Sequence, residues 1–250
     1  MSFWDHVEVL RGTLFRSVLA VGLLSLVFLF IPEPLFKAVL WPTRPDFILY
    51  SLLGLDFGID LINVDLSAQF FVHLKVSLLC GAVLGFPFVV WEIWKFIAPA
   101  LYENERKAVR TAFGLSSGLF YLGVAVGYFL VLPACVQFFL NYSVSPEVTN
   151  SITIGSYMSM FTSTVLMIGV AFEFPTVIWL LSKMGILTRE QLRKGRRYAV
   201  VIVLTIAAIV TPADPLSMLI VATPLYLLYE IAILLCSKSA EKPEESESAA

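Results

Sequence analysis

The stretch FIAPALYENERKAVR, Phe96–Arg110, is a polar interval between two long apolar runs. It carries Arg106, Lys107 and Arg110, the mark of a loop on the cytoplasmic side of a membrane, where Lys and Arg concentrate. Two carboxylates, Glu103 and Glu105, stand among these cations. Membrane topology gives no reason for them, so the same stretch that orients the fold also raises a question of function.

The wider composition agrees with a membrane setting. Of 250 residues, 58% are hydrophobic and 14% charged, with a mean hydropathy of +0.85. Soluble domains carry about 25% charged residues, so this chain's solvent is largely lipid. The net charge of −2 comes with basic groups scattered between spans, which excludes nucleic acid as an expected partner. The first apolar run lacks a small-residue cleavage site and leads into further spans, so no removable signal peptide is expected. Cys80, Cys135 and Cys236 lie far apart in or beside apolar runs; core packing is expected of them rather than a metal or a disulfide.

A helix crossing the hydrocarbon takes about 20 apolar residues at about 1.5 Å each. Six runs qualify as candidates: Leu14–Ile31, Phe70–Ile97, Phe113–Pro133, Ile152–Leu181, Tyr198–Thr211 and Leu216–Leu235. The expected fold is an all-α polytopic membrane protein, one six-span domain over residues 1–236, with an acidic, disordered tail over 237–250. The last two spans are short. Tyr198 to Ala213 is about 16 residues, about 24 Å of helix against about 30 Å of hydrocarbon, and the two prolines of TPADP favour a sharp turn after it. Local thinning of the bilayer is the expected accommodation.

Basic residues set the orientation. Arg11 and Arg16 flank the first span on its N-terminal side, and Lys183, Arg189, Arg193, Lys194, Arg196 and Arg197 follow the fourth. Ala134–Ser151 has no basic residue and TPADP has only Asp214. Both termini are therefore expected inside. The segment Pro32–Gln69, with its apolar DFILYSLLGL, reads as a folded cap on the outer surface.

Glu173, in VAFEFPTVIW, falls near the middle of the fourth span, where an acidic side chain costs about 2.5–3.5 kcal/mol and generally faces a cavity or a partner. Pro175 removes a helix hydrogen bond beside it and allows a kink. Glu92 and Lys95, and at the other end His73 and Lys75, read as side chains snorkelling from the ends of the second span. Glu230 reads as about one turn from the inner surface. No G-x-S-x-G, H-E-x-x-H or P-loop pattern is present in the sequence, so no enzyme activity is expected. A proton- or ion-coupled small-solute transporter using Glu173 is an alternative class, but it predicts repeats and several midplane polar groups. A purely structural scaffold explains neither Glu173 nor the acidic loop.

The runs FIAPALYENERKAV, VAFEFPTVIWLL, LRKGRRYAVV, VTPADPLSM and PLYLLYEI, in that order, resemble the TatC family, the multi-spanning subunit of the twin-arginine protein translocase. The resemblance implies a receptor in the bacterial inner membrane that binds twin-arginine signal peptides of folded cargo. It also implies assembly with single-span TatA/TatB-type subunits, self-association, and export driven by the proton motive force without a cofactor. Carried onto this chain, Phe96 and Glu105 match signal-recognition positions, and Pro99 and Leu101 shape their loop. Glu173 matches an intramembrane glutamate, Thr211 a partner-docking edge, and Asp214 the outer turn. Two positions depart from the family pattern. His6, Leu10 and Arg11 align with a His-Leu-x-Glu-Leu-Arg start, which puts Val9 where a second recognition carboxylate is expected. Either the helix start is rotated by about 100°, or Glu8 reaches from the adjacent position, with Asp5 a third possibility. Met218 stands where a polar glutamine is frequent.

The chemistry suits the carboxylates. A guanidinium offers a rigid fork of donors that a carboxylate accepts as a bidentate pair, which an ammonium cannot copy. Two such sites contribute about 2–5 kcal/mol, whereas micromolar binding takes about 8. Arginine pairing therefore supplies selection, and burial of the signal's apolar segment supplies affinity.

Overall fold

The computed structural model describes residues 3–54, 57–97, 106–143, 145, 147, 150–183, 186–210 and 215–236. Helix dominates these residues. α1 (Phe3–Leu29) leads to two short helices, α2 (Pro32–Val39) and α3 (Ile48–Leu53), and then to α4 (Ala68–Ile97). α5 (Arg106–Val126) continues through a π-helical turn, Gly127–Val131, into α6 (Leu132–Asn141). α7 (Ile154–Ala171) and α8 (Phe174–Lys183) follow, then α9 (Arg189–Lys194), α10 (Arg196–Val210) and α11 (Pro215–Leu235).

Four helical stretches are long and apolar enough to cross a membrane: Val7–Leu29, Ala68–Phe96, Phe113–Asn141 and Ile154–Ser182. α10 has 15 described residues, about 22 Å at the helical rise. The apolar part of α11 is Met218–Leu234. Both are shorter than the 29-residue stretches before them. The third span runs beyond its expected end at Pro133. Pro133 sits in the first turn of α6, where a missing N–H costs nothing, and the π turn absorbs the register change.

Helix pairs register antiparallel. Between α1 and α4, Arg16 meets Glu92, Val21 meets Gly85 and Ser25 meets Gly81. A Cβ on Gly81 would lie 2.7 Å from the Ser25 backbone nitrogen, so the two backbones cross at a distance only glycine permits. Between α5 and α7, Gly123 faces Ile168 and Phe172 while Gly127 faces Val165. Phe86 of α4 stacks on Phe120 of α5 with ring centroids 3.5 Å apart. The outward face of α1 carries Leu14, Phe15, Val18 and Leu19, all exposed, as a lipid-facing stripe requires.

The 32–69 segment is tied to one end of the bundle. Phe47 and Tyr50 of the apolar DFILYSLLGL run are fully buried. Phe47 stacks on Phe129 and meets Trp41 edge-on. Tyr128 donates to the Ala38 carbonyl at 2.6 Å and Tyr157 to the Val39 carbonyl at 3.0 Å. Leu61–Ile62 pairs in parallel with Ile152–Thr153. Tyr50 donates to the Pro42 carbonyl at 3.0 Å, and burial pushes its hydroxyl up to about 12, so it stays a donor at neutral pH. None of the three cysteines is in a disulfide, and Cys135 and Cys236 are buried.

Candidate functional site

The first cluster lies where α1 begins and α4 ends. Glu8, Gly12 and Arg16 recur every fourth residue along one face of α1, the spacing that stacks side chains on a helix. With Val9 they line an open groove. Glu8 is exposed, and Val9 is 43% exposed. On α4, Glu92 and Phe96 are likewise one turn apart, and Phe96 is half-buried. The two faces meet where the Arg16 Nε donates to Glu92 Oε2 at 2.7 Å. Lys95 Nζ donates to Glu92 Oε1 at 3.0 Å and also lies over the Trp91 ring.

This arrangement corrects the snorkelling reading of Glu92. Its side chain is 3% exposed, while Arg16 and Lys95 above it are 54% and 56% exposed. The carboxylate points between α1 and α4 and the cations cover it. The local spacing of Glu92 and Lys95 on α4 was visible in the sequence; the partner 76 residues away was not. At the opposite end of α4, Lys75 donates to Ser159 at 3.0 Å, and the His73 Nε2 is buried without a partner among the described residues.

The second cluster is a break in the fourth span. α7 ends at Ala171 and α8 starts at Phe174, with Phe172 and Glu173 forming the turn between them. Pro175 has no N–H for the Ala171 carbonyl, and the Glu173 N–H turns to Val170 at 3.0 Å, an i→i−3 bond. The Ser116 hydroxyl of α5 donates to Glu173 Oε2. The other oxygen, Oε1, is buried and unpartnered among the described residues, as are the hydroxyls of Ser117 and Thr176. Glu173 thus sits half-buried at a helix break with one acceptor unfilled.

The third cluster joins α10 and α11. Arg196 donates to Glu230 Oε2 at 2.7 Å and Tyr226 donates to Glu230 Oε1 at 3.1 Å. Tyr229 donates to the Leu192 carbonyl at 2.6 Å. A furrow lined by Val200, Leu204, Thr223, Tyr226 and Leu227 runs between the two helices. Met218 packs, half-buried, on the core around Val131, Cys135 and Val221. The capping box of α9, formed by Thr188 and Gln191, and the Arg196–Glu230 pair were both missed by sequence reasoning. The capping spacing was available in the sequence; the pairing was not.

Of the residues singled out from the sequence, Glu8, Phe96 and Glu173 are placed. Glu105, Pro99, Leu101, Thr211 and Asp214 lie outside the described residues, as does Glu103, and the Asp5 side chain is likewise not described. Glu8 and Phe96 flank the Arg16–Glu92 pair on neighbouring helices. Glu173 belongs to a separate cluster on α5, α7 and α8.

Long apolar helices packed antiparallel, with Glu92 held in ion pairs and Glu173 at a helix break, define an all-α polytopic integral membrane protein. The match to known proteins narrows this class. Residues 5–224 fit the family model of the Sec-independent protein translocase protein (TatC), and the chain belongs to that family. A TatC from Blattabacterium sp. subsp. Periplaneta americana (strain BPLAN) is 32% identical, with 93% of this chain and 94% of the relative covered. One from Desulforapulum autotrophicum is 35% identical, with coverage of 98% and 87%. Two crystal structures described as the twin-arginine translocase receptor TatC superpose on the fold. One gives a TM-score of 0.77 at 33% identity, covering 92% of this chain and 97% of that one. The other, in DDM, gives 0.80 at 32%, covering 93% and 99%. The chain is therefore a protein translocase component, a membrane transport protein rather than an enzyme of a catalytic family.

Proposed function

We propose that this chain is the receptor of a twin-arginine translocase in the bacterial inner membrane, with both termini cytoplasmic and six spans. It binds the signal peptides of folded cargo, and Glu105, Phe96 and Glu8 hold the arginine pair and the adjoining apolar residue. The observation that carries this reading is that Glu8 and Phe96 lie toward the same end of the α1–α4 pair, beyond the Arg16–Glu92 contact. They stand on the paired antiparallel helices α1 and α4, and residues 98–105, with Pro99, Leu101 and Glu105, follow α4 in the sequence. The relatives' description as receptors points the same way.

Glu173 is the coupling residue for single-span TatA/TatB-type partners. A carboxylate oxygen left without a donor at a helix break suits a polar side chain arriving on a partner helix, and Thr211 and Asp214, in the 211–214 stretch that separates α10 from α11 in the sequence, belong to the same proposal. Self-association and use of the proton motive force belong to the same reading. A small-solute transporter is the weaker alternative, since family membership favours the translocase and Glu173 belongs to no group of three or more His, Cys, Asp or Glu among the described residues.

Site-specific crosslinking tests the receptor reading. A photoreactive residue placed at Glu8 or Phe96 should capture a twin-arginine signal peptide, and one placed at Leu19 on the lipid-facing stripe should not. Equal capture at all three positions would argue against a signal site at the α1–α4 end.

A further inference from the structure

We infer that Glu92 is a further specificity-determining carboxylate for a signal-peptide guanidinium, and that Arg16 occupies it in the unbound protein as an internal stand-in for that arginine. This rests on the receptor function proposed for the chain and names how that site is regulated. Glu92 is buried between α1 and α4, the two helices that also carry Glu8 and Phe96. Counted at the helical rise, Glu8 lies about 12 Å along α1 from Arg16, and Phe96 about 6 Å along α4 from Glu92. The carboxylate is 3% exposed, yet its cover is two long-stemmed cations, each more than half exposed. An incoming guanidinium reaches Glu92 by displacing Arg16, not by opening the helix pair.

The pair is not needed to hold α1 on α4. That contact is set by the glycine crossings at Gly81–Ser25 and Gly85–Val21, and a desolvated ion pair generally adds little net stability against an apolar replacement. Its chemistry is instead selective. Arg16 engages Glu92 through its Nε at 2.7 Å, one arm of the fork that a signal arginine would present, whereas Lys95 engages the other oxygen as a point charge. Exchange of one guanidinium for another conserves charge at Glu92. A lysine-bearing peptide would have to replace Arg16's fork by a poorer fit. The resident arginine thereby raises the threshold for binding and discriminates against lysine.

Peptide affinity measured on the detergent-purified full chain tests this, with Arg-Arg and Lys-Lys versions of one signal peptide. Arg16→Gln should bind the Arg-Arg peptide about tenfold more tightly, the size of one charged hydrogen bond freed from internal competition. The double variant Arg16→Gln/Glu92→Gln should lose that gain. Arg16→Lys, which keeps the charge and guards against misfolding of the first variant, should move affinity in the same direction by a smaller factor. Unchanged or weaker Arg-Arg binding by both single variants would overturn the inference and leave the pair as a helix pin. Failure of the unsubstituted chain to prefer Arg-Arg over Lys-Lys would instead sink the receptor reading itself.

Discussion

At the scale of a residue, Glu173 separates packing from function. A buried acceptor without a donor costs about 1–3 kcal/mol, and Glu173 Oε1 is such an atom among the described residues. If the side chain served the bundle alone, an apolar replacement would be neutral or favourable in every assay. If it instead couples the chain to a partner helix, Glu173→Leu keeps a thermal midpoint in detergent at or above that of the natural chain and binds signal peptide normally. Export of a folded cargo then falls by about tenfold or more, the loss of one charged hydrogen bond. Export at the natural rate would leave Glu173 with a packing role. Tyr50 makes a second prediction. Its hydroxyl is raised from 10.0 to about 12 by burial, so the folded state favours the neutral form. Burial keeps Tyr50 neutral in the fold while the unfolded chain ionises, so this contribution to stability is complete below pH 10 and is lost as pH rises toward 12. Tyr50→Phe should remove that part of the alkaline transition, read by thermal unfolding across this range, at a cost of about 1 kcal/mol near neutral pH.

At the scale of an element, α1 and α4 depend on Gly81. An alanine Cβ there would meet Ser25 backbone atoms at 2.7 and 2.9 Å, and backbone cannot rotate away as a side chain does. Gly81→Ala should lower stability by about 1–3 kcal/mol through overpacking. Gly118→Ala, with nothing within 4 Å of the added carbon, should be neutral or gain up to about 1 kcal/mol from helix propensity. Comparing the two midpoints in detergent checks the crossing, and equal effects would contradict it. Elements of this kind were largely legible in the sequence, because a span is a run of apolar residues and needs no knowledge of its neighbours. The break at Glu173 was legible too, since Pro175 removes a specific bond. The extension of the third span past Pro133 was not, because a proline reads as a stop until the π turn and the start of α6 give it a harmless position. The Arg16–Glu92 pair was illegible for a different reason. On α4 alone, Glu92 and Lys95 at i and i+3 make a sufficient surface pair, and only packing shows that Glu92 faces α1 instead.

At the scale of the whole molecule, the placed carboxylates fall in separate regions. Glu8, Phe96 and Glu92 gather at the end where α1 starts and α4 finishes. Glu173 stands apart at the break between α7 and α8. α10, at about 22 Å, is shorter than the about 30 Å of a typical hydrocarbon core. Under the proposed function, with signal recognition at one cluster and partner coupling at another, mutation should separate binding from transport, and recognition is the claim on which the rest depends. Its most direct test is the affinity of the purified chain for a twin-arginine signal peptide against the same peptide with Lys-Lys, repeated on Glu105→Ala and Glu8→Ala. A receptor that pairs carboxylates with guanidinium forks should prefer Arg-Arg by about tenfold or more in the natural chain, a preference abolished by Glu105→Ala and reduced by Glu8→Ala. Equal affinity for the two peptides in the natural chain would contradict it.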